Sequence, residues 1–407
     1  MSAHFTRGLQ LYSINRYEEA LNSFKEALVE DVYDMETKFH MGLCYLQLNQ
    51  LDHLKNISET IISENPDASE GFYLLAIYYH TEENFKEAIH HINNAIAINP
   101  YNSSFYGYKS ISLLSLKKFD EALKSANEGL AINPKDVICL NARTKSLTKL
   151  KRNEEAYSTL ENTLSDNPED YFTHANAGWT NLELGNYEKA NIHFKEALQK
   201  DPNDDYARSG ALEAIKAKNF IYRYFLKYAF WMQNKNTQSQ WIFIIGFYLA
   251  YRLLVKASSE FGLNFLIPVF VILYLTFVLG TWIITPVSNS ILLFSSYSKY
   301  LLDKQDKRSA LSFIIITSLA IVSLISYYIF INYNLLFLSI SSFCSLIPIS
   351  STLQKSFTPL KNIKFWYGVG ILLLGFFNFI YYEEISIFVP IVMFASFTWF
   401  QGIIKNN

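Results

Sequence analysis

The residues of this 407-residue chain that could do chemistry stand apart from one another. Cys44, Cys139 and Cys344 are its three cysteines, with no CxxC and no Cys/His cluster. Neither a disulfide framework nor a zinc site is expected, and each thiol reads as a small buried hydrophobe. His90–His91 is an adjacent histidine pair. No carboxylate or cysteine lies at ligand spacing on its face, so it reads as helix surface rather than metal site. No HExxH, GxSxG or GxxxxGK(S/T) segment occurs, and the glycines are single. In the apolar second half Arg252 is the one charge within a run, near its end, whereas a pump or membrane enzyme needs ionisable groups facing a bundle interior. Asn264, Asn289, Asn334 and Asn378 remain there, with Ser339, Ser341, Ser342 and Ser345. Ser341 and Ser345 have the spacing of close helix contact. No catalytic, cofactor-binding or metal-binding residue is assigned, and no cofactor is expected.

The elements that carry these residues fall into two halves of opposite charge. The net charge of −2 hides 19 basic and 30 acidic side chains in residues 1–204, against 16 and 7 in the remainder. All eight histidines lie in the acidic half. The aromatic share is 16%, and the apolar runs lie in the basic half. These features exclude a single globular domain, a disordered chain and a basic nucleic-acid binder. A soluble acidic module joined to a membrane module is expected. The N-terminal stretch has no uninterrupted apolar segment and no cleavage site, so no signal peptide is expected.

A period of 34 residues organises the acidic half. Gly8, Leu11, Tyr17, Ala20, Phe24 and Ala27 recur as Ala76, Tyr79, Phe85, Ala88, Ile92 and Ala95, and again as Gly178, Asn181, Tyr187, Ala190, Phe194 and Ala197. Pro66, Pro100, Pro134, Pro168 and Pro202 mark the ends of successive units. Six units keep this register through residue 204 without an insertion. The spacing predicts two antiparallel helices per unit, A then B. Small residues at positions 8 and 20 let the helices approach, a large one at position 11 or 24 fills the space beside them, and Pro at position 32 stops helix B. One unit cannot bury its apolar face alone, but a stack can. Leu54 stands where Ala is usual. Thr144 and Asn153 replace the small residue and the aromatic, so repeats 2 and 5 should be looser. Residues 205–219 read as a helix that caps the last unit.

This pattern resembles the tetratricopeptide repeat family over residues 1–204. The resemblance implies an all-α solenoid with a concave face built from the A helices, one that takes an extended peptide or a helix. Transferred by register, the groove residues are Phe5, Leu9, Tyr12, Phe39, Leu43, Leu46, Tyr73, Ile77, Ile111, Leu114 and Trp179. Family members that clamp a terminal carboxylate use Lys and Asn at positions 5 and 9 of their first repeat. Phe5 and Leu9 stand there, which disfavours such a clamp. An apolar groove of this width should be covered, either by a partner segment or by neighbouring side chains and the chain's own linker.

Residues 220–240 form an aromatic-basic linker in which Arg223, Lys227, Trp231 and Lys235 suit the headgroup layer. Six apolar runs follow, at 241–255, 263–284, 310–330, 334–354, 365–382 and 385–404. A span needs about 20 residues. The second to sixth runs reach that length, while the first is short. Residues 286–302 read as interfacial. With six spans, loops on the side of the repeats carry 14 basic residues, ending at Lys405, and the opposite loops carry only Lys256 with Glu260, Glu383 and Glu384. This bias places the repeats and both termini in the cytoplasm. The order of parts resembles bacterial membrane-anchored tetratricopeptide-repeat proteins, which suggests the bacterial cytoplasmic membrane. The expected function is a non-catalytic adaptor that recruits a protein partner to the membrane, with membrane lipids but no nucleic acid as further partners. The alternative is a carrier or membrane enzyme regulated by its repeats, since six spans exceed what an anchor requires.

Overall fold

The computed structural model describes residues 2–166, 168–294, 298–355, 359–381 and 385–400. Among these, every regular element is a helix. The chain divides into two units, Met1–Gly210 and Ala211–Asn407.

Six helix pairs run through the first unit. They are α1 (Ala3–Ser13) with α2 (Tyr17–Glu30), α3 (Met35–Gln47) with α4 (Leu51–Glu64), and α5 (Ser69–Thr81) with α6 (Phe85–Ile98). Then come α7 (Ser103–Ser115) with α8 (Phe119–Ile132), α9 (Val137–Lys149) with α10 (Asn153–Asp166), and α11 (Tyr171–Glu183) with α12 (Tyr187–Lys200). Successive helices pack on one another along the chain.

The 34-residue period is written into the backbone. Asn15, Asn49, Glu83, Lys117, Lys151 and Gly185 all adopt positive φ, between 54 and 85°, and end the six A helices. The residue after each donates its backbone N–H to a carbonyl five residues back, as Arg16 does to Leu11 at 3.0 Å and Asn186 to Asn181 at 2.8 Å. This closure satisfies carbonyls that a helix end leaves open. After the B helices, the side chains of Asp31, Asn65, Asn99, Asn133 and Asp201 accept the N–H two residues on. That local bond turns the chain toward the next A helix.

Ala20, Ala88, Ala122, Ala156 and Ala190 are fully buried, and Leu54 takes their place in repeat 2. A Cβ on Gly8 would stand 2.5 Å from the Phe24 ring, so only glycine allows this approach. The helix pairs of repeats 2 and 5, where Leu54 and Thr144 depart from the pattern, pack less extensively than the other four.

Helix α13 (Asp205–Lys216) crosses the boundary between the units, and α14 (Phe220–Gln233) follows. The second unit continues with α15 (Thr237–Glu260), α16 (Ile267–Leu293), the single turn α17 (Ser298–Leu301), α18 (Lys304–Phe330), α19 (Tyr333–Lys355), α20 (Ile363–Tyr381) and α21 (Phe388–Phe400). Helix α19 packs against both α18 and α20, and 67% of its apolar window is buried, against 6% for α15. Polar contacts join these helices. The Ser339 hydroxyl donates to the Ala320 carbonyl at 2.9 Å, and Ser309 donates to Ser350 at 2.8 Å. Ser341 and Ser345 are fully buried, and Gly375 lies against Ser341.

By length and composition four helices are apolar enough to cross a membrane, within α15, α18, α19 and α20. A fifth is obtained if the stretch Asn264–Leu293, bent by 67°, counts as one. The two expected runs outside the four are thus the second, which is bent, and the sixth, whose described apolar helix covers Phe388–Phe397. Residues 286–293, expected at an interface, continue α16. Lys405, Glu383 and Glu384 lie outside the described residues.

Candidate partner-binding groove

The A helices bring positions 5, 9 and 12 of successive repeats side by side, but not all of them face open space. Phe5 and Ile77 are 1% and 2% exposed, and Leu114 is buried as well. Phe5 is closed in by Phe24 and by His40, with ring centroids 5.7 and 5.6 Å away. Phe5 and Ile77 belong to the core beneath the groove, which corrects the expectation that they line it, whereas Leu114, though largely buried, keeps a face on one of the clefts. For Phe5 part of the cover, His40, comes from the next repeat, and the register within one helix does not reveal it.

Leu9, Tyr12, Phe39, Leu43, Leu46 and Tyr73 are half-buried and rest on that core. Ile111 is also half-buried. Burial, and then the neighbouring Tyr17, push the Tyr12 phenol up to about 12, so it stays neutral. An aromatic row crosses the repeats. Phe39 stacks on Tyr73 at 6.3 Å, and Tyr73 meets Phe105 at 5.1 Å and Tyr108 at 5.4 Å. Trp179 serves a different purpose. Its indole N–H donates to the Tyr206 carbonyl at 3.2 Å, and its ring packs on Tyr206 and edge-on to Phe194. It fastens the start of α13 to the last repeat.

Two clefts open in this unit. One, of about 720 Å³, is lined by Glu36, Phe39, Leu43, Asp67, Glu70, Tyr73 and Phe105 among others. The second, of about 310 Å³, is lined by His80, Ile111, Leu114, Asn141, Lys145, Lys149, Phe172, Asn176 and Tyr206 with two smaller residues. Within it Lys149 holds Glu183 at 2.8 Å. Lys145 is solvent-accessible but crowded by protein. That crowding, and then the Lys149 charge, draw its pKa below the ordinary lysine value. His80 meets the Ser112 hydroxyl at 3.1 Å, and burial followed by Lys145 lowers its pKa.

By register Asn141 and Lys145 fall at positions 5 and 9 of repeat 5, on the concave face, but were not picked out as binding residues, and Asn176 and Tyr206 fall outside those positions. The available signal was a Lys at position 9 of repeat 5, where the first four repeats carry Leu9, Leu43, Ile77 and Ile111.

Elsewhere the chemistry-bearing residues are engaged structurally. His91 stacks on Tyr79 at 5.1 Å. Burial raises the Cys44 thiol to about 12 and raises Cys139 as well, so neither is a thiolate near neutral pH. In the second unit Arg223, Lys227, Trp231 and Lys235 are exposed, and the Lys235 ammonium lies 5.5 Å from the Trp231 ring centre.

The sequence model of the tetratricopeptide repeat matches residues 171–204. No curated protein matches the chain. Similar solved structures include a tetratricopeptide repeat protein of Parabacteroides merdae, 18% identical, covering 52% of this chain and 83% of that one with a TM-score of 0.44. The pilF protein of Pseudomonas aeruginosa is 11% identical and covers 53% and 96%, with a TM-score of 0.39. YrrB, described as a TPR protein with an unusual peptide-binding site, is 20% identical and covers 45% and 95%, with a TM-score of 0.31. The match thus covers the sixth repeat, and the five helix pairs before it are closed by the same turn every 34 residues.

Proposed function

We propose that this protein is a non-catalytic, membrane-anchored scaffold whose concave groove recruits a segment of a protein partner. The observation that carries this reading is the half-buried aromatic and aliphatic row from Leu9 to Tyr73, part of which lines an open cleft. Such a surface gains by excluding water when a segment lies on it. The anchor is supported by α15, whose Trp241, Ile242, Ile245, Tyr248, Leu249 and Leu253 are all exposed. An apolar surface of that extent suits lipid rather than water. The excess of basic residues in loops on the repeat side supports a cytoplasmic groove at a bacterial membrane, with Arg223, Lys227, Trp231 and Lys235 in the headgroup layer.

Partner capture by crosslinking in native membranes, with and without residues 1–204, tests the reading. Loss of specific partners on deletion is expected, and identical partner sets would overturn it. One observation favours a second reading, a carrier regulated by the repeats. The hydroxyls of Thr317 and Ser341 are buried without a hydrogen-bond partner, which is costly in an apolar bundle. Substrate-dependent flux in proteoliposomes that survives deletion of the repeats would favour that reading.

A further inference from the structure

The two clefts of the repeat unit carry opposite charge. Glu36, Asp67 and Glu70 line the cleft of repeats 2–4, none of them ion-paired, and no Lys or Arg joins them. Lys145 and Lys149 line the cleft of repeats 3–6, and no Asp or Glu joins them. Glu183 already neutralises Lys149, whereas Lys145 makes no ion pair. This cation stands in an otherwise acidic module, at a place that disfavours its own charge. An arriving anion relieves that penalty.

Two amides beside Lys145 are incompletely paired. Asn141 is 6% exposed. Its Nδ2 donates to the Thr173 hydroxyl at 3.3 Å, while its Oδ1 has no partner. Asn176 accepts the Tyr206 hydroxyl at 3.2 Å, while its Nδ2 has no partner. One acceptor and one donor are therefore left open, and a buried polar group without a partner is unfavourable. An extended peptide offers backbone N–H and C=O groups in alternation, whereas a helix has spent its own internally. Ile111, Leu114 and Phe172 supply apolar walls for neighbouring side chains.

Resting on the reading of the groove as a protein-binding surface, we propose that the cleft of repeats 3–6 anchors an extended partner segment. An acidic side chain of the segment pairs with Lys145, and its backbone pairs with Asn141 and Asn176. The carboxylates of the other cleft, beside Phe39 and Tyr73, take a basic residue at the segment's far end, where the aromatic faces add attraction for a cation. The segment therefore lies in one orientation.

The test uses the full chain in detergent micelles and three fluorescent synthetic peptides that share one apolar core. One carries Lys at one end and Glu at the other, one carries Lys at both ends, and one carries Glu at both. Fluorescence anisotropy is expected to rank the bipolar peptide tightest. Lys145→Met keeps the hydrocarbon stem, and it should weaken the two Glu-bearing peptides by about tenfold, or 1.4 kcal/mol, with no effect on the double-Lys peptide. Lys145→Glu should invert the preference, favouring double-Lys over bipolar. That gain of binding cannot come from misfolding. Equal affinity for all three peptides, still abolished by Leu43→Glu, would overturn the charge assignment and leave the groove reading intact. If none of the three bound to a protein with an unchanged melting curve, both would fall.

Discussion

Gly178→Ala sets two known effects against each other, and the structure predicts which one wins. In a helix interior Ala is favoured over Gly by about 1 kcal/mol. Here the new methyl would stand 2.5, 2.6 and 2.8 Å from three carbons of the Phe194 ring, inside van der Waals contact. The ring has no retreat. On its other flank a Cβ at Gly210 would stand only 2.2 Å away, so Gly210 already lies against it, Trp179 meets it edge-on, and Phe194 is fully buried. Overpacking a core costs about 1–3 kcal/mol, and confinement on two sides argues for the upper end. The net expectation is a loss of about 2 kcal/mol, confined to the last repeat because each unit contacts only its neighbours. Hydrogen exchange of the full chain should show faster opening in Tyr171–Glu183 and Tyr187–Lys200 by roughly 30-fold, with Ala3–Glu64 unchanged. Phe194→Leu in the same chain should recover part of the loss, since it withdraws the ring atoms that clash. Slower exchange in the Ala variant would refute the reasoning, because helix propensity would then have prevailed over a ring that can move. Gly246→Ala, with no atom within 4 Å of the new methyl, is the control and should be neutral or mildly stabilising.

Leu43→Glu should weaken partner binding with the melting temperature nearly kept, since half-exposed substitutions usually cost less than about 0.5 kcal/mol. Ile77→Glu should collapse the melt by burying a charge without a partner; the same response from both would remove the distinction between groove and core. Asp136→Ala should cost about 2–3 kcal/mol in denaturant melts. Its carboxylate caps α9 at Cys139 N–H, 2.8 Å, and accepts the hydroxyls of Ser103 and Ser104 at 2.7 and 2.9 Å. Burial lowers the pKa of His40, His80, His91 and His193 from 6.5. The unfolded chain therefore takes up protons first as the pH falls, and stability should be fully present above 6.5 and decline below it. A melting temperature of the repeats that is flat from pH 7.5 to about 5 would contradict this. A reporter active only outside the cytoplasm should be silent at 303–308 and active at 256–260; the reverse would overturn the proposed orientation.

The helix pairs were legible because a solenoid repeats its packing problem every 34 residues, and each copy solves it with the same small and large side chains. Two turns that fix the register were harder to read. Glu83, Lys117 and Lys151 occupy a left-handed position that such residues seldom choose, so local propensity gave no warning. The closure of helix A onto the following helix imposes that conformation. Recurring Asp or Asn at position 31 was visible in the sequence, but its role as a side-chain acceptor emerged only with the turn. Within the groove, positions 5 and 9 share one helix face by spacing alone. What separates buried Phe5 from half-buried Leu9 is the placement of Phe24 and His40, one on the paired helix and one on the next repeat. Register can foresee part of that dependence between repeats. Lys149 and Glu183 are 34 residues apart, hence stacked at one position of adjacent A helices, and their charges pair. The same rule sets Lys145 against Trp179, which cannot neutralise it. The site's open charge was therefore implicit in a comparison of neighbouring repeats, column by column, and invisible to a reading of each repeat by itself.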